Sequence, residues 1–334
     1  MRSLLVLLAV ALGMGAAHAR LPKLVLSGPY AAVSYPLIHM VESGALKDVA
    51  EVVEFRPWKD PDQLRVLALD AKAEADFVAM PTNVAANLYN RGVKLKLLNV
   101  STWGVLWMVS RDPTLKTLAD FKGKEIAMPF RADMPDIVFG LLAEGQGLNP
   151  KRDYKLRYVA SPLDAMQLLI MRRVDHALLA EPAVSMALRK TRSFPISVIA
   201  PELHRGVDLQ QEWGRVYRSE ARMPQAGIVA LGNARDNAAL VERFQNAYAA
   251  SLAWCQANAG ACGKLVAKRV DMLTPEAVAD SMTVSQMRFV TAAEARPELE
   301  AFFKRLHAKQ PALLGGKLPD AGFYGMASAA GQAR

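Results

Sequence analysis

The sequence carries none of the short signatures that announce an active site. It has no Gly-x-Ser-x-Gly, no His-Glu-x-x-His, no phosphate-binding loop and no Cys-x-x-Cys. That removes the best-marked serine hydrolases, zinc proteases, nucleotide hydrolases and dithiol redox enzymes. Gly145-Gln146-Gly147 lacks the third glycine of a dinucleotide fingerprint and closes a helical stretch where that motif would open one. The five histidines, at 18, 39, 176, 204 and 307, are too scattered to suggest a metal set. The fifteen methionines form no Met-x-x-Met clusters and read as core filler. No cofactor is called for.

Charge is equally unclustered. The chain is +9 overall, but no run approaches five like charges and no basic stripe is interleaved with aromatics, so nucleic acid is not an expected partner. Past the N-terminus, no segment approaches the ~18 uninterrupted apolar residues of a membrane span.

What is present begins with a leader. Arg2, an apolar run over 4–12 and Ala17-His18-Ala19 have the order of a secretory signal peptide cut after Ala19. The apolar run is too short to cross a bilayer alone. The mature chain is then expected in the periplasm, at a formal +8 once Arg2 is lost with the leader. In an exported protein, Cys255 and Cys262, seven apart around Asn258-Ala259-Gly260, read as a local disulfide. At 334 residues, 52% apolar and 22% charged, the chain has the balance of a globular protein and the length of two domains.

Strand-like runs at 23–27, 52–55, 76–80, 94–100, 106–110, 125–128, 156–159, 176–180, 196–200 and 225–231 alternate with helical segments. The region after Asn233 reads almost wholly as helix, over 237–258, 264–269, 275–286 and 294–307. Such alternation predicts an α/β protein with mostly parallel sheets. The rhythm breaks near 111–113 and again near 220–225. This fits two Rossmann-like lobes: residues 20–110 and 225–323 form the first, residues 111–224 are inserted as the second, and two hinge strands join them. Residues 324–334 form a small-residue tail.

The stretch 118–142 best displays the repeated joint. A buried strand over 125–128 meets a polar loop, and Asp133, Pro135 and Asp136 then open a helix. Similar joints follow the other strands, at 28–34, 80–83, 101–104, 129–133, 160–161 and 181–182. Free N–H groups at helix starts and the carboxyl edge of a parallel sheet are where ligands bind in open α/β folds. The candidate ligand-binding residues are Gly28, Tyr30, Ser34, Thr82, Asn83, Trp103, Phe130, Arg131, Asp133 and Glu181. Tyr30, Trp103 and Phe130 offer flat walls. Arg131 suits an acid group, whereas Asp133 and Glu181 suit an amine. Each has a purely structural alternative: Asp133, Thr82, Asn83 and Ser161 are helix-cap types, Arg131 can pair with Asp133 or Asp136, and Glu181 can simply end its strand. Trp58 and Trp213 read as surface or core. No catalytic residue is assigned.

Three segments carry a family resemblance. They are Gly28-Pro29-Tyr30 after the first strand, Ala75-Asp76-Phe77 before Pro81-Thr82-Asn83, and Lys116-Thr117-Leu118-Ala119-Asp120-Phe121-Lys122-Gly123-Lys124. With Ser161-Pro162, Val174-Asp175-His176-Ala177 and Glu181-Pro182-Ala183, the chain over about 24–188 resembles the solute-binding proteins of ABC transporters, in particular the nitrate, sulfonate, taurine and thiamine-pyrimidine-precursor branch. The resemblance implies the class II periplasmic binding protein fold, a monomer with a hinge-bending cleft. The ligand is then a small sulfonate, carboxylate or aromatic, pyrimidine-like solute delivered to an inner-membrane permease. It places contacts on residues 28–34, 80–83 and 130–133. Arg131 and Asp133 stand where that branch commonly has small residues. A pyrimidine-synthesising enzyme shares the fold but uses a cysteine-rich motif that this chain lacks. The alternative roles are an exported ligand-sensing or accessory module and, after it, a small-molecule enzyme on the same fold using a carboxylate such as Asp133 or Glu181.

Overall fold

In the computed structural model the described residues are 20–69, 75–199 and 202–326, so the expected leader (1–19) and most of the expected tail (324–334) lie outside them. Eleven strands occur among these residues. They are β1 (Leu21–Gly28), β2 (Ala50–Pro57), β3 (Phe77–Pro81), β4 (Leu95–Gly104), β5 (Leu106–Ser110), β6 (Glu125–Pro129), β7 (Lys155–Val159), β8 (His176–Ala180), β9 (His204–Asp208), β10 (Ala226–Leu231) and β11 (Gln286–Thr291). They form two sheets, ordered β11-β4-β10-β3-β1-β2 and β7-β6-β8-β5-β9.

The two sheets follow one plan. In the first, β1 is parallel to β2 and β3, while β10 enters antiparallel to β3 and β4. In the second, β6 is parallel to β7 and β8, while β5 enters antiparallel to β8 and β9. Each sheet thus receives a reversed strand from the chain that has just crossed over, and the first also carries β11 antiparallel to β4 at its edge. Burial follows position. Leu24 to Gly28 of β1 and most of β3, β6 and β8 are buried on both faces, as central strands of helix-covered sheets must be. The edge strands β2 and β7 are polar and half-exposed.

Four sequence expectations need correction. The strand expected at 196–200 is instead a four-residue helix, Ile196–Ile199, with Val198 and Ile199 exposed; its apolar run has no sheet edge to join. β9 occupies that edge, and its His-Arg-Gly-Val-Asp sequence buries only Val207, too little to leave a pattern. The expected 101–104 loop does not form, because β4 continues to Gly104 between β10 and β11. β11 itself falls in the region read as all helix. Finally, the chain changes sheets at Val105 rather than near 110, since β5 pairs with β8 and β9.

That crossing is held by side-chain amides. Gln225 Oε1 accepts from the Val105 N–H at 3.1 Å, while Gln210 accepts from the Leu106 N–H at 3.0 Å and donates to its carbonyl at 3.1 Å. Gly104 is required there because a Cβ would lie 2.2 Å from Gln210 Cγ. The return crossing runs beside it, with Met223 and Gln225 donating to the carbonyls of Trp103 and Thr102. Two adjacent strands are therefore the link between the lobes, the arrangement of a hinge. Cys255 and Cys262, both buried, form the expected disulfide and tie helix Ala238–Ala257 to helix Ala259–Ala267.

Candidate functional site

The residues just past β1, β2, β6, β7 and β8 converge on a cavity of about 440 Å³ between the lobes. The first lobe contributes Tyr30 and Trp58, and the second contributes Phe130, residues 160–164 and residues 180–183. Arg269 to Met272, from the linker between helices Ala259–Ala267 and Pro275–Val284, complete the wall. The joints take this shape for local reasons. Ser161 caps helix Pro162–Ile170, accepting from the Asp164 N–H at 3.2 Å and donating to its carboxylate at 2.8 Å. Asp60 accepts from the N–H groups of Asp62 and Gln63 at 3.0 and 2.9 Å. At Gly28 a Cβ would lie 2.3 Å from Ser34 Oγ and 3.0 Å from Ala79 Cβ, so a side chain there would displace the Ser34 hydroxyl.

The cavity is walled by rings, and many of its charges are already engaged. Glu181 is wholly buried. It accepts from the Ser185 N–H at 3.0 Å and from the Arg205 guanidinium at 2.6 Å. Arg205 also donates to Ser185 Oγ at 2.9 Å and lies 5.5 Å over the Trp107 ring. Arg269 is bound to Glu42. The Tyr30 hydroxyl is pushed above its ordinary pKa by burial and by the nearby Asp271 carboxylate, so it stays a neutral donor. Trp58 donates its indole N–H to the Ala79 carbonyl at 3.0 Å, which fixes the ring in the wall. Phe130 holds a left-handed backbone (φ 56°), uncommon for a non-glycine residue.

Of the sequence candidates, Tyr30, Phe130 and Glu181 line this cavity. Asn83 and Asp133 instead line a smaller one of about 260 Å³, also between the lobes, with Arg65 and Arg91. Arg131 is exposed beside the open groove along residues 60–67, its guanidinium 5.1 Å over the Tyr158 ring. Thr82 donates to the Pro224 carbonyl at the hinge. Ser34 is buried behind Gly28, its hydroxyl unpartnered among the described residues. Trp103 is not brought to either cavity. It is buried in β4, donates to the Arg288 carbonyl at 2.9 Å and lies beneath Arg222. Two contributors went unassigned in the sequence. Trp58 stands at the same kind of joint as Tyr30, a signal that could have found it. Residues 269–272 follow a helix and show no pattern.

Asp133 repays closer inspection. Its carboxylate caps helix Met134–Gly145 through the Met134 N–H at 2.8 Å, and is otherwise met by Asn83 at 3.4 Å and Arg65 at 4.0 Å. Burial raises its pKa above the ordinary value, only partly offset by those three partners. A raised carboxyl pKa means the native state prefers the protonated form, and this advantage is lost as pH rises through the native value. Asn retains the cap. We therefore expect Asp133→Asn to match the native chain near pH 4 and to melt about 2–4 °C higher near pH 8. Parallel melting curves at both pH values would show this, and a constant gap would contradict it.

No protein-family model and no curated relative matches the chain. Solved structures do. An ABC transporter structure from Parabacteroides distasonis superposes with a TM-score of 0.72 at 23% identity, covering 92% of this chain and 99% of that one. The alkanesulfonate-binding protein SsuA from Xanthomonas axonopodis pv. citri, bound to MOPS, gives 0.63 at 15% identity, covering 89% and 96%. The periplasmic nitrate-binding protein NrtA from Synechocystis PCC 6803 gives 0.62 at 15%, covering 78% and 69%. Two sheets of one plan, a paired-strand hinge and these superpositions together show that the chain has the fold of the periplasmic binding proteins of ABC transporters.

Proposed function

We propose that this chain is the periplasmic substrate-binding component of an ABC importer, exported with its first nineteen residues removed and acting as a monomer without catalysis. The observation that supports this most directly is the cavity itself, bounded by β–α joints of both lobes. A solute lying there contacts both halves only when they are together, so it favours the closed state by the contacts that state alone provides. A permease can then distinguish loaded from empty protein. The rings of Tyr30, Trp58 and Phe130 suit a planar, largely apolar solute such as an aromatic acid or a pyrimidine-like compound. Glu181, already held by Arg205, contributes shape rather than free charge.

A thermal-shift screen of sulfonates, pyrimidines, aromatic acids and amines tests the reading, since ligand at 100 times its Kd adds about 2.7 kcal/mol. Compaction in small-angle scattering with the best binder should accompany the shift. Phe130→Gly is the informative variant. Glycine removes the left-handed backbone cost, so stability should hold or rise by up to about 1 kcal/mol. Affinity for the best binder should nevertheless fall about tenfold, roughly 1.4 kcal/mol. Unchanged affinity would remove Phe130 from the site.

A further inference from the structure

Helices Pro162–Ile170 and Ala183–Arg192 both start at joints that line the aromatic cavity. Their C-terminal ends lie about 13–15 Å back from it along the helix axes. Four large apolar side chains stand outward at those ends: Met171 just past the first helix, and Phe194, Val198 and Ile199 just past the second. They are 59%, 84%, 74% and 70% exposed, although these residue types are among those most often buried. The Arg172 guanidinium donates to the Ile199 carbonyl at 3.0 Å and so ties the two segments together. Ser193 Oγ donates to the Arg189 carbonyl at 2.8 Å, and the N–H groups of Ser197 and Val198 donate to the carbonyls of Ser193 and Pro195 at 3.0 and 3.2 Å. Much of the ridge's backbone is thus satisfied from within, and what it turns outward is hydrocarbon.

Cations flank this ridge. Segments 171–175 and 189–202 carry five cations and two carboxylates, five minus two leaving +3. Arg192 is paired with Glu202, Arg189 with Asp280 of helix Pro275–Val284, and Asp175 lies 3.6 Å from Arg111. Arg173 and Lys190 are exposed and make no ion pair among the described residues, and Arg172 spends one N–H on a carbonyl. Apolar patches of this kind, rimmed by polar groups, mark contact surfaces. The charge decides what the contact is. A second copy seated ridge to ridge would set two such positive clusters against each other. An anionic lipid surface takes both parts, since hydrocarbon enters the headgroup boundary while the cations meet lipid phosphates. We propose that this ridge seats the protein reversibly on membranes rich in anionic phospholipid. The solute cavity then lies at the opposite end of the same helices, clear of the bilayer.

Co-sedimentation of the full mature chain with vesicles tests this, at about 0.1 M salt so that charges more than about 10 Å apart are screened. Equimolar phosphatidylglycerol and phosphatidylcholine vesicles should bind the chain at least about tenfold better than pure phosphatidylcholine. Phe194→Ser with Ile199→Ser should weaken binding at least about tenfold. Arg173→Gln with Lys190→Gln should weaken it about fivefold for each cation removed. Lys268→Gln with Lys304→Gln removes the same charge from exposed positions of the first lobe and should change binding less than about twofold. All these side chains are exposed, so each variant should melt with the parent. No binding to the anionic vesicles, equal binding to both kinds, indifference to the Phe194 and Ile199 pair, or an equal loss in the Lys268 and Lys304 control each overturns the proposal. So does a lipid-free dimer that Phe194→Ser with Ile199→Ser makes monomeric, because a second copy would then cover the ridge. Solute capture does not depend on any of these outcomes, and a failed solute screen would leave the vesicle result standing.

Discussion

Replacing Gly227 by alanine is expected to prevent the chain from accumulating as folded protein. Gly227 sits in β10, the reversed strand between β3 and β4, at a point where the register against β4 shifts. A Cβ built there would lie 1.8 Å from the Asn99 carbonyl oxygen and 3.0 Å from Val100 Cα. Those are backbone atoms in the middle of a six-stranded sheet, so no side-chain rotation relieves the overlap. Strands β4 and β10 would have to separate, breaking ladder bonds on both sides. A loss of about 4–5 kcal/mol or more is expected, against a total stability of about 5–15 kcal/mol for a typical protein. Gly260→Ala is the matched control. It lies in helix Ala259–Ala267 with nothing within 4 Å of the built Cβ, and alanine there should add about 0.5–1 kcal/mol. Soluble yield and urea midpoints of the two variants test this directly. A Gly227→Ala chain as stable as the parent would mean that the β4–β10 approach is wrongly described.

The second large effect concerns the pair behind the aromatic cavity. Arg205→Met is expected to cost about 3–5 kcal/mol, because it leaves the Glu181 carboxylate wholly buried with only the Ser185 N–H to oppose its charge. The methionine fills much of the volume and can still cover the Trp107 ring, so loss of packing is the smaller part. Adding Glu181→Gln removes the stranded charge while keeping an acceptor for the Ser185 N–H. The double variant should therefore regain more than half of the loss. A double-mutant cycle in urea measures this coupling. Equal midpoints for the single and double variants would show that Arg205 stabilises through its stem alone. The same cycle bears on ligand choice. If Glu181 is a structural acceptor, the double variant should retain its affinity for a neutral or acidic aromatic solute.

Much of this architecture can be read along the chain because the central strands are buried on both faces. Continuous apolar runs such as Val25-Leu26 and Leu178-Leu179 then mark them without ambiguity. The joints are legible too, since Asp133-Met134-Pro135 and Ser161-Pro162 put cap and proline where a helix must begin. Strands β9 and β11 escape because each lies at a sheet edge and buries little, so neither alternation nor an apolar run survives in the sequence. Trp103 misleads for a related reason. A tryptophan between two strand-like runs suggests a ring-bearing loop, but β4 does not break there, and the ring packs against the hinge instead.

Local sequence thus determined the α/β character, the helix starts that border the interlobe space and the disulfide, because each depends on residues a few positions apart. The tertiary structure alone decided which joints share a cavity. It separated Tyr30, Trp58 and Phe130 from Asn83 and Asp133, paired Glu181 with Arg205, and moved the sheet crossing to Val105. These outcomes depend on sheet order and on how the lobes meet across a hinge, where contacts link residues well separated in the chain, from 24 positions for Glu181–Arg205 to 120 for Val105–Gln225, and leave no periodicity in it.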